Sequence, residues 1–250
     1  MSADGATRPR VIPEEAVPGQ VLPDLARWAV SESRILTEES SPMRAAFLQG
    51  DPRLLLVVGE NASGKSLVFR MIAGLADRHG ILAMTLSIRE RTGGGLFAMA
   101  HMRRAMIYGD EETSSTGAVS ASVVKRGFDN MRERDGPCIL ALDEPELGLS
   151  DGYAAALGEL IGANAAEAGP MACGTIVVTH SRELARGLMR GLGAAPSMIA
   201  MTTGGVDAPC GVDAWIESRE DRSVDDLLRL ADASLDRFRR VQRILDAGRN

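Results

Sequence analysis

The chain of 250 residues is short of lysine and aromatic side chains, and it has no long apolar run. Only two of its 28 basic residues are lysines, Lys65 and Lys125, and aromatic residues make up 4% of the composition. No stretch reaches the roughly eighteen apolar residues that a membrane-spanning helix needs, and residues 1–5 lack the basic and apolar regions of a signal peptide. We therefore expect a cytoplasmic protein that does not insert into membranes.

The chain also lacks an excess of positive charge and any close pair of cysteines. Its net charge of −6 and its pI near 5.2 disfavour nonspecific nucleic-acid binding by the whole surface, because such binding depends on phosphate neutralisation. A local basic patch keeps DNA binding open as a possibility. Cys138, Cys173 and Cys210 are too far apart for a C-x-x-C motif, so we expect reduced thiols that serve in packing.

The length and the 45% hydrophobic content are sufficient for one α/β domain with a full core. Residues 1–20 contain three prolines and little periodicity, which predicts an irregular N-terminal arm. We expect residues 21–250 to form a single domain. Its motifs fall within 50–190, and 191–250 form a C-terminal addition of strands and helices.

A match to the phosphate-loop pattern G-x-x-x-x-G-K-[ST] lies between an apolar run and a helical segment. The matching residues are Gly59, Glu60, Asn61, Ala62, Ser63, Gly64, Lys65 and Ser66, and Leu67 opens the helix. Glycines permit a tight turn, and amides at a helix N-terminus then face phosphate oxygens. Lys65 is expected to reach the β- and γ-phosphates and Ser66 to bind Mg²⁺. The alternative is a glycine-rich turn with no ligand.

Two adjacent carboxylates follow the apolar run 138–142. A fully apolar strand is typical of a central parallel strand, and its carboxyl end faces the crevice in which open α/β sheets bind ligands. Asp143 is predicted to hold Mg²⁺, and Glu144 to deprotonate the attacking water. A purely structural role would leave the repulsion between the two carboxylates without a nearby cation to offset it.

His180 follows the buried strand predicted at 174–179, so it lies at the carboxyl end of a strand, as Asp143 does. An imidazole there can hydrogen-bond a γ-phosphate or the attacking water. The alternative is a satisfied core or surface histidine. A Ser/Thr-rich segment at 113–117 precedes a helix predicted over 118–134 and, taken alone, is typical of an N-cap.

The remaining pattern predicts the other helices and strands of the domain. Further helices are expected at 23–39, 42–49 and 152–168, strands at 81–86, 198–202 and 212–216, and two amphipathic helices or one broken helix in the tail. Trp28 and Phe47 either fill the core or stack on a base. The charged loop 89–95, with His101, Arg103 and Arg104, is either a partner or nucleic-acid surface or a solvated loop.

Four of these signals occur in an order that resembles the motifs of the ABC superfamily of ATPases. They are the phosphate loop at 59–66, the Ser/Thr-rich segment at 113–117, the carboxylates Asp143 and Glu144, and His180. That family has a Walker A loop, a signature, a Walker B strand with a catalytic Glu, and a switch His. The string 143–149 is similar to the Walker B and D-loop of RecF/OLD-like and SMC-like members. The short interval from Lys65 to Ser115 is similar to that in MutS-type heads, whereas transporter subunits usually have an interval about twice as long.

The chain departs from the family pattern at several motif positions. The sequence Leu-Ser-Gly-Gly-Gln is absent and is replaced by a degenerate Ser-Ser-Thr-Gly at 114–117. No glutamine lies between Lys65 and Asp143, so the usual Q-loop contact to Mg²⁺ is missing or replaced. Ala62 stands where the family commonly has glycine, and Ser150 where many members have Asp.

The resemblance implies a P-loop NTPase fold with a predominantly parallel sheet and ATP and Mg²⁺ as ligands. It also implies a homodimer in which the second copy supplies Ser115, Thr116 and Gly117 to the γ-phosphate. Hydrolysis would separate the heads and act on a protein partner, in DNA maintenance or phage defence. The alternatives are an ATP-gated regulator or clamp with little turnover, a nucleotide-binding subunit of a transporter, and a small-molecule kinase.

Overall fold

The computed structural model describes residues 18–87, 116–203, 207–218 and 221–247. The helices are α1 (Pro18–Ser31), α2 (Arg34–Thr37), α3 (Lys65–Arg78), α4 (Thr116–Arg132), α5 (Asp151–Ala166), α6 (Arg182–Leu192), α7 (Val212–Glu217) and α8 (Val224–Ala247). The strands are β1 (Met43–Leu48), β2 (Asp51–Gly59), β3 (Leu82–Ser87), β4 (Cys138–Asp143), β5 (Ala172–Val178) and β6 (Pro196–Thr203).

The strands form one six-stranded sheet in the order β1-β6-β2-β5-β4-β3. All neighbouring pairs are parallel except β1 with β6, which is antiparallel. The prediction of an α/β fold with a mostly parallel sheet and flanking helices is confirmed. Because β5 pairs with both β2 and β4, the segment that follows β5 emerges between the segments that follow the other two strands.

The sheet is covered on both faces, which explains why its central strands are apolar throughout. Along β2, Leu55 and Val57 point into a core shared with α1 and α3, whereas Leu54, Leu56 and Val58 point into a core shared with α4, α5, α6 and α7. Successive side chains of a strand point to opposite faces, so a buried strand needs apolar residues at every position.

The helix predicted at 42–49 is wrong, because Met43–Leu48 form the edge strand β1. Every residue from Met43 to Leu48 pairs with β6, and the side chain of Met43 is buried against the sheet. Backbone pairing with β6 therefore overrides the local helical preference of this segment. Phe47 and Trp28 pack against the core, as the packing interpretation predicted.

The helix predicted at 23–39 is two helices, and its first one begins earlier than expected. Helix α1 starts at Pro18, so residues 18–20 are helical and not part of an irregular arm; residues 1–17 lie outside the described part of the chain. Pro23 lies inside α1. Burial of Leu22, Leu25 and Ala26 offsets the hydrogen bond that proline cannot donate.

Two predictions for the C-terminal addition are also wrong. Residues 212–217 form helix α7 and not a strand, and its buried side chains Val212, Trp215 and Ile216 lie on one helical face. The tail is one continuous helix, α8, and neither two helices nor a broken one. Residues 224–247 contain no glycine or proline, so nothing in them favours a break.

Two of the three cysteine side chains lie in the core. Cys138 and Cys173 are buried and free, as a packing role requires, whereas Cys210 is exposed. Burial raises the pKa of the Cys173 thiol to about 11 and also raises the pKa of Cys138. Within the described ranges, no helix combines the length and the apolar character needed to cross a bilayer.

Candidate functional site

Three segments with the predicted site residues meet at the carboxyl edge of the sheet. They are the loop after β2 (residues 59–64), the acidic segment after β4 (residues 143–146) and His180 after β5. The central strand β5 is bonded directly to both neighbours: the N–H of Thr179 donates to the Val57 carbonyl at 3.1 Å and that of Glu144 to the Val178 carbonyl at 2.9 Å. These bonds extend the sheet beyond the assigned strands and hold the three segments together.

The loop after β2 has the backbone that its glycines permit. Gly59 has φ +149° and Gly64 has φ +100°, both in a region that residues with a Cβ rarely adopt. A Cβ on Gly59 would lie 2.6 Å from Ser63 Oγ and 2.7 Å from the carbonyl oxygen of Met201. The turn is therefore incompatible with a larger residue at position 59.

Lys65 is the first residue of α3, and its side chain folds back over the loop. It is buried, and its ammonium group donates to the carbonyl oxygens of Gly59 and Glu60, each at 2.9 Å. The loop thus holds a positive charge at the N-terminus of a 14-residue helix. Both the ammonium and the helix dipole favour an anion at this position.

The acidic segment begins where β4 ends at Asp143. Glu144 is 4% exposed, and its backbone lies in the left-handed region at φ +50°. That conformation costs a non-glycine residue on the order of 1 kcal/mol. The Glu144 side chain is therefore held in a defined place at the sheet edge rather than lying along the strand.

The structure brings Glu144 and His180 together. His180 Nδ1 lies 3.6 Å from Glu144 Oε1, which is the separation of an ion pair rather than of a short hydrogen bond. The Glu144 carboxylate holds the pKa of His180 above its usual 6.5, while partial burial and the charge of Lys65 act in the opposite direction. Lys65, Glu144 and His180 are thus close enough to influence one another electrostatically.

A second buried carboxylate, Glu146, was given no role by the sequence. Its Oε1 accepts a short hydrogen bond from the buried hydroxyl of Thr179, which in turn accepts one from the N–H of Ser181 at 2.8 Å. Burial raises the pKa of Glu146 above its usual 4.5, and the bond from Thr179 opposes this. The network links the acidic segment to the residues on either side of His180. The only sequence signal for this network is that a polar residue follows each of the two buried strands.

The residues predicted to hold Mg²⁺ are Ser66, at the start of α3, and Asp143, at the end of β4. Within the described part of the chain, no cluster of three or more His, Cys, Asp or Glu side chains could hold a metal by itself. A hydroxyl and one carboxylate still fit Mg²⁺, because this ion usually keeps several waters and is completed by substrate phosphates. The donors present therefore suit a metal that arrives with a nucleotide.

The structure describes only part of the segment predicted to act as the signature, which is Ser115, Thr116 and Gly117. Ser115 lies outside the described residues, as do the loop 89–95, His101, Arg103 and Arg104. Thr116 and Gly117 begin α4, which therefore starts two residues before the predicted 118. The predicted starts and ends of α5 and β5 agree with the structure to within about two residues.

Large apolar side chains are exposed next to this edge. Leu147 is 42% exposed directly after the acidic segment, and Tyr153 is 71% exposed in the first turn of α5.

Comparison with known protein families yields no matching model, and no curated protein matches the chain. The function must therefore be inferred from the side chains assembled at the sheet edge.

Proposed function

We propose that the chain binds Mg-ATP at the carboxyl edge of the sheet and hydrolyses it as a stand-alone ABC-type ATPase. The observation that carries the proposal is the ion pair between His180 and Glu144, 3.6 Å apart and within the electrostatic reach of Lys65. Lys65, Glu144 and His180 come from three separate strand ends and lie close together, which supports their assignment as a phosphate-binding lysine, a general base and a switch histidine.

The loop after β2 supplies the phosphate site. The turn formed by Gly59, Ala62 and Gly64 leaves the backbone open to phosphate oxygens, and Lys65 replaces its two carbonyl contacts with the β- and γ-phosphates. The Ser63 hydroxyl at this turn is buried and makes no hydrogen bond within the described part of the chain. A buried hydroxyl without a partner is costly unless a ligand or water completes it.

The residues after β4 and β5 supply the hydrolytic step. Glu144 accepts a proton from the attacking water, and His180 donates a hydrogen bond to the γ-phosphate as negative charge shifts onto the leaving group. Ser66 and Asp143 would hold Mg²⁺, which neutralises phosphate charge when bound. Glu146 and Thr179 keep His180 and the acidic segment at a constant separation.

The nucleotide is sealed by a second copy of the chain in this proposal. The partner copy would contribute Ser115, Thr116 and Gly117 at the start of its α4, so that ATP bridges the two subunits. Leu147 and Tyr153 are exposed beside the site and would be available for contact with the second copy. Loss of the γ-phosphate would release the interface and transmit a conformational change to a protein partner. DNA binding is a further possibility, which the net charge of −6 does not favour.

Glu144→Gln tests the catalytic assignment, with Glu133→Gln at an exposed position as the matched control. The Glu144 variant is expected to lower the ATP hydrolysis rate by roughly 10²–10⁴-fold, because it removes the general base but keeps the side-chain size. At protein concentrations at which the nucleotide-free variant is monomeric, ATP should then convert it into a stable dimer that size-exclusion chromatography with light scattering detects. Equal hydrolysis rates for both variants would contradict the assignment. Absence of an ATP-dependent dimer would contradict the two-subunit site.

A further inference from the structure

The C-terminal helix α8 exposes a row of large apolar side chains. Its members recur with alternating spacings of four and three residues, which is the heptad repeat of a coiled coil. The repeat positions are Val224, Leu228, Ala231, Leu235, Phe238, Gln242 and Leu245, of which Gln242 is polar and Val224, Leu228, Leu235, Phe238 and Leu245 are exposed apolar side chains. Leu228 is 70% exposed and Phe238 is 59% exposed. We call these seven residues the α8 seam.

A different face of α8 packs against the protein. Val241 and Ile244 are buried, and Leu230, Ala233 and Arg237 are partly covered. At 100° per residue, the centre of this packing face lies roughly a third of a turn from the centre of the α8 seam. The helix therefore touches the domain with one face and presents a second, longer apolar face to its surroundings.

The start of α8 is fixed by a reciprocal cap. The N–H of Ser223 donates to Asp226 Oδ2 at 3.0 Å, and the N–H of Asp226 donates to Ser223 Oγ at 3.1 Å. Such a capping box satisfies backbone donors at the first turn. The cap therefore supports a helix of 24 residues, and the α8 seam extends along that length.

The charges of α8 are divided between its two halves. The first half contains Asp225, Asp226 and Asp232 with one arginine, for a net charge of −2. The second half contains four arginines, Arg237, Arg239, Arg240 and Arg243, and two aspartates, for a net charge of +2. Two such helices attract one another only when they run antiparallel, because a parallel arrangement brings like charges together.

We propose that two copies of this chain associate through an antiparallel coiled coil formed by their α8 seams. The occupant of each seam is the seam of the second copy. The apolar repeat supplies the contact and the opposite charges of the two halves set the direction. Arg239 and Asp232 flank the seam on the same side, where antiparallel pairing can bring the arginine of one copy towards the aspartate of the other.

This association does not depend on the proposed ATPase activity, since none of its residues belongs to the nucleotide site. It would hold two heads near one another before ATP binds and so raise their effective concentration. Size-exclusion chromatography with light scattering on nucleotide-free full-length protein is the first test. We expect a dimer at about 50 µM, and a monomer at that concentration would overturn the proposal.

The double variant Leu228→Glu/Leu235→Glu is expected to raise the dimer dissociation constant at least about 100-fold, since it removes two apolar contacts from each copy. Met171→Glu, an exposed apolar position at the other end of the sheet, is the matched control and should leave it unchanged. Circular dichroism checks that both proteins stay folded. A dimer that survives the double variant would overturn the proposal. Loss of stability in the monomeric double variant would also overturn the proposal, because it would mean that the α8 seam packs against its own chain.

Disulfide formation tests the direction. In a protein carrying Cys210→Ser, Leu228→Cys is expected to cross-link to a second protein carrying Leu245→Cys, but not to itself. Efficient cross-linking of Leu228→Cys alone would show a parallel pair and contradict the antiparallel arrangement. Equal cross-linking with Cys210→Ser/Met171→Cys would show random collision and would also contradict it.

Discussion

The contact between α5 and α6 predicts that Gly187→Ala lowers the free energy of unfolding. These helices follow the acidic segment and His180, so their separation helps to position the two site segments. A Cβ on Gly187 would lie 2.0 Å from the Ala155 carbonyl oxygen and 2.9 Å from the Glu159 nitrogen. Both are backbone atoms and cannot rotate away, so the helices must move apart by roughly 1 Å or more to restore ordinary contact.

The expected loss is the overpacking cost less the gain in helix propensity. Overpacking costs about 1–3 kcal/mol, and replacing a helical glycine by alanine returns up to about 1 kcal/mol. Because the contact is with backbone, we expect a net loss of about 1–2 kcal/mol, which lowers Tm by about 2–8 °C in a chain of this length. Gly74→Ala in α3 is the control, since a Cβ there meets nothing within 4 Å. Urea unfolding followed by circular dichroism measures both, and equal stabilities would refute the reasoning.

Two further predictions use the pKa shifts at the sheet edge. The raised pKa of His180 contributes stability that is present below pH 6.5 and disappears as the pH rises through the higher folded value, so His180→Gln should be less stable than wild type only in the acidic range. Urea unfolding of both proteins at pH values from about 5.5 to about 8.5 checks this. A difference in the free energy of unfolding that does not change with pH would contradict it. Burial raises the pKa of Glu146, so wild type should lose stability relative to Glu146→Gln as the pH rises above 4.5. Glu146→Ala, which removes the acceptor for Thr179, should destabilise at every pH, and equal effects of the two variants would argue against the network.

The parts of the site that lie within short sequence patterns were predictable. The loop after β2, the end of β4 and the end of β5 each combine an apolar strand with a polar residue at its carboxyl end. Parallel strands place such ends at one edge, so the placement of Lys65, Asp143, Glu144 and His180 at that edge follows from sequence. Their direct contacts do not, because the strand order decides that β5 lies between β2 and β4.

The errors fall where distant parts of the chain decide the local structure. Residues 43–48 form a strand because β6, more than 140 residues later, offers an edge for pairing. Glu146 and Thr179 are 33 residues apart and meet only once β4 and β5 are neighbours. Helix α7 is short, and its buried side chains fit either a strand or one helical face until the packing against α6 is known.

Binding of Mg-ATP measured by isothermal titration calorimetry tests the central claim most directly, with Lys65→Ala compared against Lys125→Ala. Lys125 is the other lysine of the chain and is exposed on α4, so its replacement should leave the affinity unchanged. Loss of the Lys65 ammonium removes charge-assisted hydrogen bonds to phosphate and should weaken binding by roughly 10–100-fold. No detectable binding by wild type, or equal affinities for the two variants, would contradict the account.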